Sequence, residues 1–563
     1  MRSIVAATIV LLLLTPPRVL AQTTAPASPG GPAGGAAAAK SPVSDIFGVD
    51  LASRQNPGGT TTNPSTIALT GVGWIRITAD WSVLEPAKGK FDWTALDTPV
   101  RRSADAGEHI VVLFQNTPKW AALTPDTPAV VWSHQPPRRI ADWTAFVSAV
   151  VTRYHGRVRA WQVEPSLDLA AYRGTNADYR ELLHAARVVV RRADPKALVV
   201  AASPGGLDLS FLKTMRTRAG DDFDAVMLFP RGRSAADLLE ALSVIRSRIL
   251  TDGRHQLWLS ALPAWGPEGQ LAAAALAGGA VREFWPALDP SLTTAMRFLG
   301  GARFIGPLNR GPGVYAFVFA NGASNVVVAW STGGTRSVPL ATNGALAAVG
   351  AGGQVLPPVG SDGTGITVGA DPVFVSNPAQ SVVDEAVRTV QQGPYVVPRE
   401  PDFSKADSVS ATLGATNVEH GLYNQRLRAL PSGGVVPVTV DGSEAVRTDQ
   451  PKDAVYAYFD VDHSYVFYDD GRYDLLITIE VHKASAPDRV GFNLLYDSMS
   501  GYKFTPWQWV EAGKDWATYT FRLTDAGFSS TWGWDFAVNG AGDKKEDLVI
   551  RSVTVKKVLP SAP

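Results

Sequence analysis

Short apolar runs alternate with stretches of helical spacing through the first half of the chain. The runs are Ile46–Val49, Trp74–Thr78, His109–Phe114, Val158–Val163, Leu198–Ala202, Ala225–Phe229, Leu257–Leu259 and Val281–Trp285. Between them, Phe91–Ala106, Asp142–Tyr154, Asn176–Ala193, Ser234–Leu250 and Gly269–Leu276 repeat apolar residues at the spacing of one helix face. Eight strand-length runs with helical crossovers over ~250 residues predict an α/β fold, a (β/α)8 TIM barrel, over 43–301. A doubly wound open sheet is the competing arrangement. It usually carries a Gly-rich phosphate loop after its first strand, and Gly48-Val49-Asp50-Leu51 supplies none.

Further along, the period changes. Val314–Phe319 and Val326–Trp330 flank Asn321-Gly322, a hairpin signal. Short β runs and Gly-rich turns continue to Val375, predicting a small appended β-sandwich over 302–378. Residues 379–410 read as a polar, proline-punctuated connector. From 411 to 558 the runs Val455–Val461, Tyr473–Val481, Gly491–Tyr496, Thr518–Leu523 and Val549–Val555 predict a second β-sandwich of jelly-roll type.

The N-terminus carries an address. Arg2 precedes the apolar run Ile4–Leu14, and Val19-Leu20-Ala21 follows, the pattern of a secretory signal peptide over 1–21. The run is short for a membrane span, although an uncleaved anchor is the alternative. Residues 22–42 are Ala, Pro, Gly, Ser and Thr with one Lys, a flexible tether. No later stretch is long and apolar enough to cross a bilayer, so a secreted or periplasmic product without a transmembrane segment is expected.

Composition narrows the chemistry. The 563 residues hold 52 Lys+Arg against 52 Asp+Glu and no cysteine. Zero net charge gives no long-range attraction to nucleic acid. The absence of cysteine excludes disulfides, thiol catalysis and Cys-based zinc sites. No spacing specifies a metal site, and no cofactor is implied.

Several barrel stretches carry a family pattern. Trp74-Ile75-Arg76 is followed by Trp81, then Gly89-Lys90-Phe91-Asp92-Trp93 and Leu96-Asp97. Pro118-Lys119-Trp120-Ala121 comes next, then Trp143 to Phe146, Arg153-Tyr154-His155-Gly156-Arg157-Val158 and Trp161. Tyr179, Leu182-Leu183 and Asp194-Pro195 continue the series. Together, over 44–378, these resemble the clan-A retaining glycoside hydrolases, especially their xylosidase/iduronidase-like secreted branch. The first group is similar to that family's second strand and helix, the second to its third-strand exit and its approach to strand four. The resemblance implies a (β/α)8 barrel acting on oligosaccharide or polysaccharide.

Retaining glycosidases need two carboxyl groups about 5–5.5 Å apart. The family places its acid/base in a Trp-Glu-x-Trp-Asn-Glu-Pro stretch ending strand four, where this chain reads Trp161-Gln162-Val163-Glu164-Pro165-Ser166. If Glu164-Pro165 is the Glu-Pro pair, two residues are missing. Glu164 then lies ~6–7 Å deeper on the same face; in the ungapped alignment the acid position is Ser166. Glu164 is therefore the candidate acid/base under one alignment and a buried polar residue under the other. The family ends strand seven with Trp-hydrophobic-Thr-Glu-hydrophobic-Gly; here it is Trp258-Leu259-Ser260-Ala261-Leu262-Pro263. Ala261 stands at the nucleophile position, and alanine forms no glycosyl ester. Glu268 falls at a helix start, where an acid suits the dipole without a catalytic role. In strand six the family's His-Pro-Tyr is Phe229-Pro230-Arg231.

Arg76 and Asp80 share parity, so both are candidates for the barrel mouth. Glu283 and Asp289 flank Trp285; for Asp80, Glu283 and Asp289 alike, structural ion pairing or capping is the alternative. Trp120, Trp265 and Trp285 follow strands three, seven and eight, where active-site loops belong. Arg76, Asp80, Trp120, Trp265 and Trp285 are thus the candidate substrate-binding set, with core packing the alternative for each tryptophan.

In the last segment, Tyr456–Asp462, Tyr473-Asp474-Leu475, Tyr496-Asp497-Ser498, Trp516, Phe521–Ala526 and Asp535-Phe536 resemble the galactose-binding-like sandwiches appended to such enzymes. Trp507 and Trp509 alternate, as do Trp532 and Trp534, giving either a sugar platform or inner-sheet core. Three functions remain open. They are a polysaccharide-binding pseudoenzyme on a glycosidase barrel, an active hydrolase with relocated carboxylates, and a non-enzymatic exported scaffold.

Overall fold

The computed structural model describes residues 44–51, 72–163, 172–202, 207–230, 234–260, 267–359, 364–392, 397–399, 401–425, 434–468, 471–531, 533–541 and 546–560. The expected signal peptide and tether lie outside these residues.

Eight parallel strands close into a barrel in sequence order. They are β1 (Phe47–Asp50), β2 (Trp74–Asp80), β3 (His109–Gln115), β4 (Ala160–Val163), β5 (Leu198–Ala202), β6 (Ala225–Leu228), β7 (Gln256–Ser260) and β8 (Ala280–Trp285). β8 returns to β1, with Phe284 opposite Gly48. The open-sheet alternative is thereby excluded. Each strand is buried on both faces, which is why it reads as a near-continuous apolar run.

The bore is filled by side chains. Trp74, Trp258 and Phe284 meet at ring separations of 5.4–6.3 Å, edge-on or tilted. Gly48 has to lack a side chain: a Cβ there would sit 2.7 Å from the Phe284 ring and 2.8 Å from Trp74 Cβ. Outward residues such as Ile75, Ile77, Trp161 and Leu259 join the helices in the main core.

Helices Thr94–Ala106, Ile140–Tyr154, Asn176–Ala193, Ala235–Val244 and Glu268–Ala277 fall where the spacing predicts them. A π-helical turn, Ile245–Ile249, extends the fourth. Asn176–Ala193 starts at a capping box in which Thr175 and Asp178 satisfy each other's backbone N–H; such caps are worth about 1 kcal/mol. Helices Leu209–Ala219 and Pro290–Leu299 add to the set, capped by Asp208 and Asp289.

The appended module holds a six-stranded sheet and a two-stranded one. Its hairpin pairs Val314–Asn321 with Ser324–Ser331 through a turn at Gly322, whose φ is +61°. The connector needs correction, because it contains a helix, Gln380–Gln391. Val382, Val383 and Ala386 bury one face of that helix in the appended module's core. A Cβ on Gly306 would meet the Ala386 carbonyl at 2.3 Å, so helix and sheet pack backbone to backbone.

The C-terminal sandwich has two antiparallel sheets. One joins Val418–His420, Ser408–Thr412, Val549–Val558, Ser443–Arg447 and Val436–Val440 in that order, with Asp474–His482 also on Val549–Val558 and Trp516–Leu523 beyond it. The other joins Leu422–Gln425, Tyr456–Val461, Phe536–Asn539, Gly491–Ser498 and Gly501–Phe504. Its separate core begins at Phe403, earlier than residue 411. Tyr468 leaves that core and packs in the barrel's. Among the described residues, no helix is long and apolar enough to cross a membrane.

Candidate functional site

A polar network crosses the barrel bore above the aromatic layer. Arg76 on β2 stands in register with Asp50 on β1. Its Nη1 donates to Asp50 Oδ2 at 2.8 Å, and its Nε donates to Gln162 Oε1 on β4 at 2.9 Å. Ser260 Oγ, at the end of β7, donates to the same Asp50 oxygen at 2.8 Å. The guanidinium lies 5.4 Å from the Phe229 ring centroid. Arg76 and Asp50 are fully buried, so each supplies the counter-charge that makes the other tolerable. Asp50, Gln162 and Ser260 were not singled out from sequence. The available signal was strand parity: each lies on the face shared with Gly48, Ala160 or Trp258.

Asp80 has the parity of Arg76, but its carboxylate is a helix cap. Oδ1 accepts from Ser82 N–H at 2.9 Å and Oδ2 from Asn116 Nδ2 at 2.6 Å. Trp120 is half-buried, its indole N–H donating to the Glu85 carbonyl at 2.8 Å and its ring edge-on to Trp81. Trp285 requires correction. It faces the helix layer, is 2% exposed and packs in the main core, leaving no ring face for a ligand. Glu164, Ala261, Trp265 and Arg231 lie outside the described residues.

Glu283 accompanies Trp285 on the outward face, 1% exposed. Its Oε2 accepts from the Trp285 indole at 3.3 Å, and its Oε1 has no hydrogen-bond partner among the described residues. Burial holds its pKa well above the ordinary carboxylate range. Glu268 begins the helix after β7, and burial with the nearby Asp289 pushes its pKa up to about 7. Asp289 caps Pro290–Leu299, accepting from Leu292 N–H at 2.6 Å.

A second polar cluster ties barrel to sandwich. Asp237 and Glu240, on helix Ala235–Val244, both pair with Arg399 of the connector. His463 of the sandwich brings Nδ1 to 3.3 Å from Glu240 Oε2 and 3.5 Å from Asp237 Oδ1. The other ring nitrogen lies 3.2 Å from Ser530 Oγ. Burial acts to lower the His463 pKa, but the two carboxylates outweigh it and hold it above the ordinary value. Asp237, Glu240 and His463 have the donor types and proximity of a cation site. Arg399 already neutralises the same carboxylate oxygens, so the group fits an ion-pair latch better than a metal. Nearby, burial pushes Asp208 up to about 7, with Asp497 of the sandwich adding repulsion.

Of the two candidate tryptophan pairs, Trp507 and Trp509 do not form a flat platform. Trp509 is 41% exposed, but its ring stands at 76° to Trp507, which packs over Gly491. Trp534 is buried between Tyr458 and Tyr502. Trp532 lies outside the described residues.

No family model matches the chain, and no curated protein matches it. Among solved structures it is similar to a family 39 glycoside hydrolase from Bacteroides cellulosilyticus WH2. That match has 14% identity, 60% of this chain, 81% of the other and a TM-score of 0.48. A GH30 endoxylanase from Clostridium papyrosolvens C71 matches at 12% identity, over 60% and 97%, with a TM-score of 0.45. A glucosidase from Croceicoccus marinus covers 92% of this chain and 96% of its own at 13% identity, with a TM-score of 0.35.

Proposed function

We propose that the chain is an exported, glycoside-hydrolase-like protein that binds polysaccharide on a barrel lacking double-displacement chemistry. Strand numbering supports the family alignment. The Trp74-Ile75-Arg76 stretch falls on the second strand, Pro118–Ala121 after the third, Trp161-Gln162-Val163 on the fourth and Trp258-Leu259-Ser260 on the seventh.

One observation carries the reading. β7 ends at Ser260, whose hydroxyl is bound to Asp50, and the next residue, where the resembling family has its nucleophile, is Ala261. A retaining glycosidase forms a glycosyl ester on a carboxylate, and a methyl group forms none. Asp50, a buried carboxylate of the bore, is neutralised by Arg76 and bonded to Ser260, so it is poorly placed to substitute.

The test is incubation of the exported protein with activated fluoro-glycosides, followed by intact-mass analysis. The expected result is oligosaccharide binding without a covalent adduct or cleavage. An adduct on any barrel carboxylate would instead establish an active hydrolase with a relocated nucleophile, with Glu164 the first acid/base to replace. Neither binding nor cleavage would favour the structural scaffold. Export itself is checked on the same sample, whose mass should correspond to a start at Gln22.

A further inference from the structure

Two bore-facing residues hold buried polar atoms that the network around Arg76 does not use. Ile75, Ile77 and Ala79 of β2 and Ile110, Val112 and Phe114 of β3 pack outward in the main core. The alternate residues therefore face the bore: Arg76, Thr78 and Asp80 on β2, and Val111, Leu113 and Gln115 on β3. Register sets Thr78 beside Leu113 and Asp80 beside Gln115. Thr78 and Gln115 thus occupy successive levels at the rim end of neighbouring strands, above the level of Arg76. Thr78 is 8% exposed and Gln115 3%. Thr78 Oγ1 and Gln115 Nε2 are buried and have no hydrogen-bond partner among the described residues.

The groups around them are committed. Arg76, Asp50, Gln162 and Ser260 are bonded to one another. Asp80 Oδ2 is taken by Asn116 Nδ2. A buried polar atom without a partner is costly, whereas an apolar side chain of the same shape is near neutral or stabilising. Valine has the shape of Thr78 and leucine approximates Gln115, so the fold alone gains nothing from the hydroxyl or the amide. Both point to a group that meets them from the bore.

We propose that Thr78 and Gln115 read the hydroxyls of an uncharged sugar ring at the rim end of the bore. A sugar hydroxyl both donates and accepts. It therefore answers an amide N–H, which only donates, and a threonine hydroxyl, which does either. Charge argues against an acidic ring. The Arg76 guanidinium is held by Asp50 and Gln162, and Asp80 sets a carboxylate at the level of Gln115. That the ligand is a sugar rests on the polysaccharide reading above; that these two groups meet it, and that it is uncharged, rests on the bore alone.

The experiment pairs calorimetric titration with thermal melts on the full-length exported protein. The probes are xylotriose, cellotriose and mannotriose, with tri-galacturonate as the acidic comparison. At least one neutral trisaccharide should bind the parent, more tightly than tri-galacturonate. Thr78→Val and Gln115→Leu should each weaken it about tenfold or more, the scale of a lost hydrogen bond to a buried partner. Thr78→Ser, which retains a hydroxyl, should recover most of the affinity. The same Val and Leu variants should raise the thermal midpoint of the free protein, because each removes a buried group that has no partner there. A purely structural role predicts the opposite sign, so a lowered midpoint in both variants would overturn the proposal. Undiminished affinity in both variants would overturn it while leaving the polysaccharide reading intact. Tighter binding of tri-galacturonate would overturn the uncharged ligand. If no trisaccharide binds the parent, the polysaccharide reading falls and takes this proposal with it.

Discussion

Asp50 and Arg76 face each other across the first two barrel strands, 2.8 Å apart and withdrawn from solvent. Removing one partner of such a pair leaves an uncompensated buried charge, typically a loss of about 3–5 kcal/mol, whereas replacing both with apolar residues is often near neutral. Asp50→Leu should therefore destabilise strongly, and Asp50→Leu/Arg76→Met should recover much of the loss. Urea unfolding of the two variants and the parent measures this. Equal destabilisation by single and double variants would mean the charges do not depend on each other.

Glu283 makes a second prediction, with a defined sign. Its folded-state pKa is raised, so the folded protein holds the carboxyl neutral after the unfolded chain has ionised. Stability is thereby lost as pH rises above the unfolded value near 4.3, by up to about 1.4 kcal/mol per pH unit. Glu283→Gln should match the parent near pH 4 and become progressively more stable than it toward neutral pH. Denaturant midpoints at pH 4, 5.5 and 7 give the comparison, and a gap independent of pH would refute it.

His463 titrates in the opposite sense. Its folded pKa is raised, so its contribution is complete below the unfolded value near 6.5 and is lost as pH rises through the folded value. The neighbouring charges come from Asp237 and Glu240 on the barrel helix, Arg399 on the connector and Asp460 on the sandwich. Deprotonation leaves the two helix carboxylates with Arg399 as their cation. Native-state hydrogen exchange along Ala235–Val244 and around His463 should accelerate above neutral pH, beyond the intrinsic rise. His463→Gln should abolish that extra acceleration.

The sandwich boundary is a fourth expectation. Phe403 lies in the sandwich core, its N–H bonded to Ser464 Oγ at 2.8 Å, and strand Ser408–Thr412 pairs with Val549–Val558. A fragment covering 401–560 should melt cooperatively, and one covering 411–558 should melt lower or not fold. Identical melting of the two would place the boundary back at 411.

The barrel was legible because its eight strands are buried on both faces, and a doubly buried strand writes itself as an apolar run bounded by polar turns. The helix Leu209–Ala219 was not, since Lys213, Arg216 and Arg218 interrupt a weakly apolar face. Gln380–Gln391 was hidden similarly: Val382, Val383 and Ala386 make a stripe narrow enough to pass for a polar connector. Trp285 was misplaced by reasoning from chain position. Strand parity would have paired it with Glu283 and set both against Phe284, the residue that points into the bore. The Arg76 network was half legible. Arginine within an apolar strand announces a partner, but strands record who neighbours whom only after the sheet closes.

The aromatic layer of Trp74, Trp258 and Phe284, with Gly48 pared down to admit it, gives the barrel a solid floor. Anything entering from the C-terminal rim must turn back at that floor and leave by the door it came through. A long polymer cannot be threaded through this cup. Whatever meets the barrel must lie along its rim and not pass down its axis.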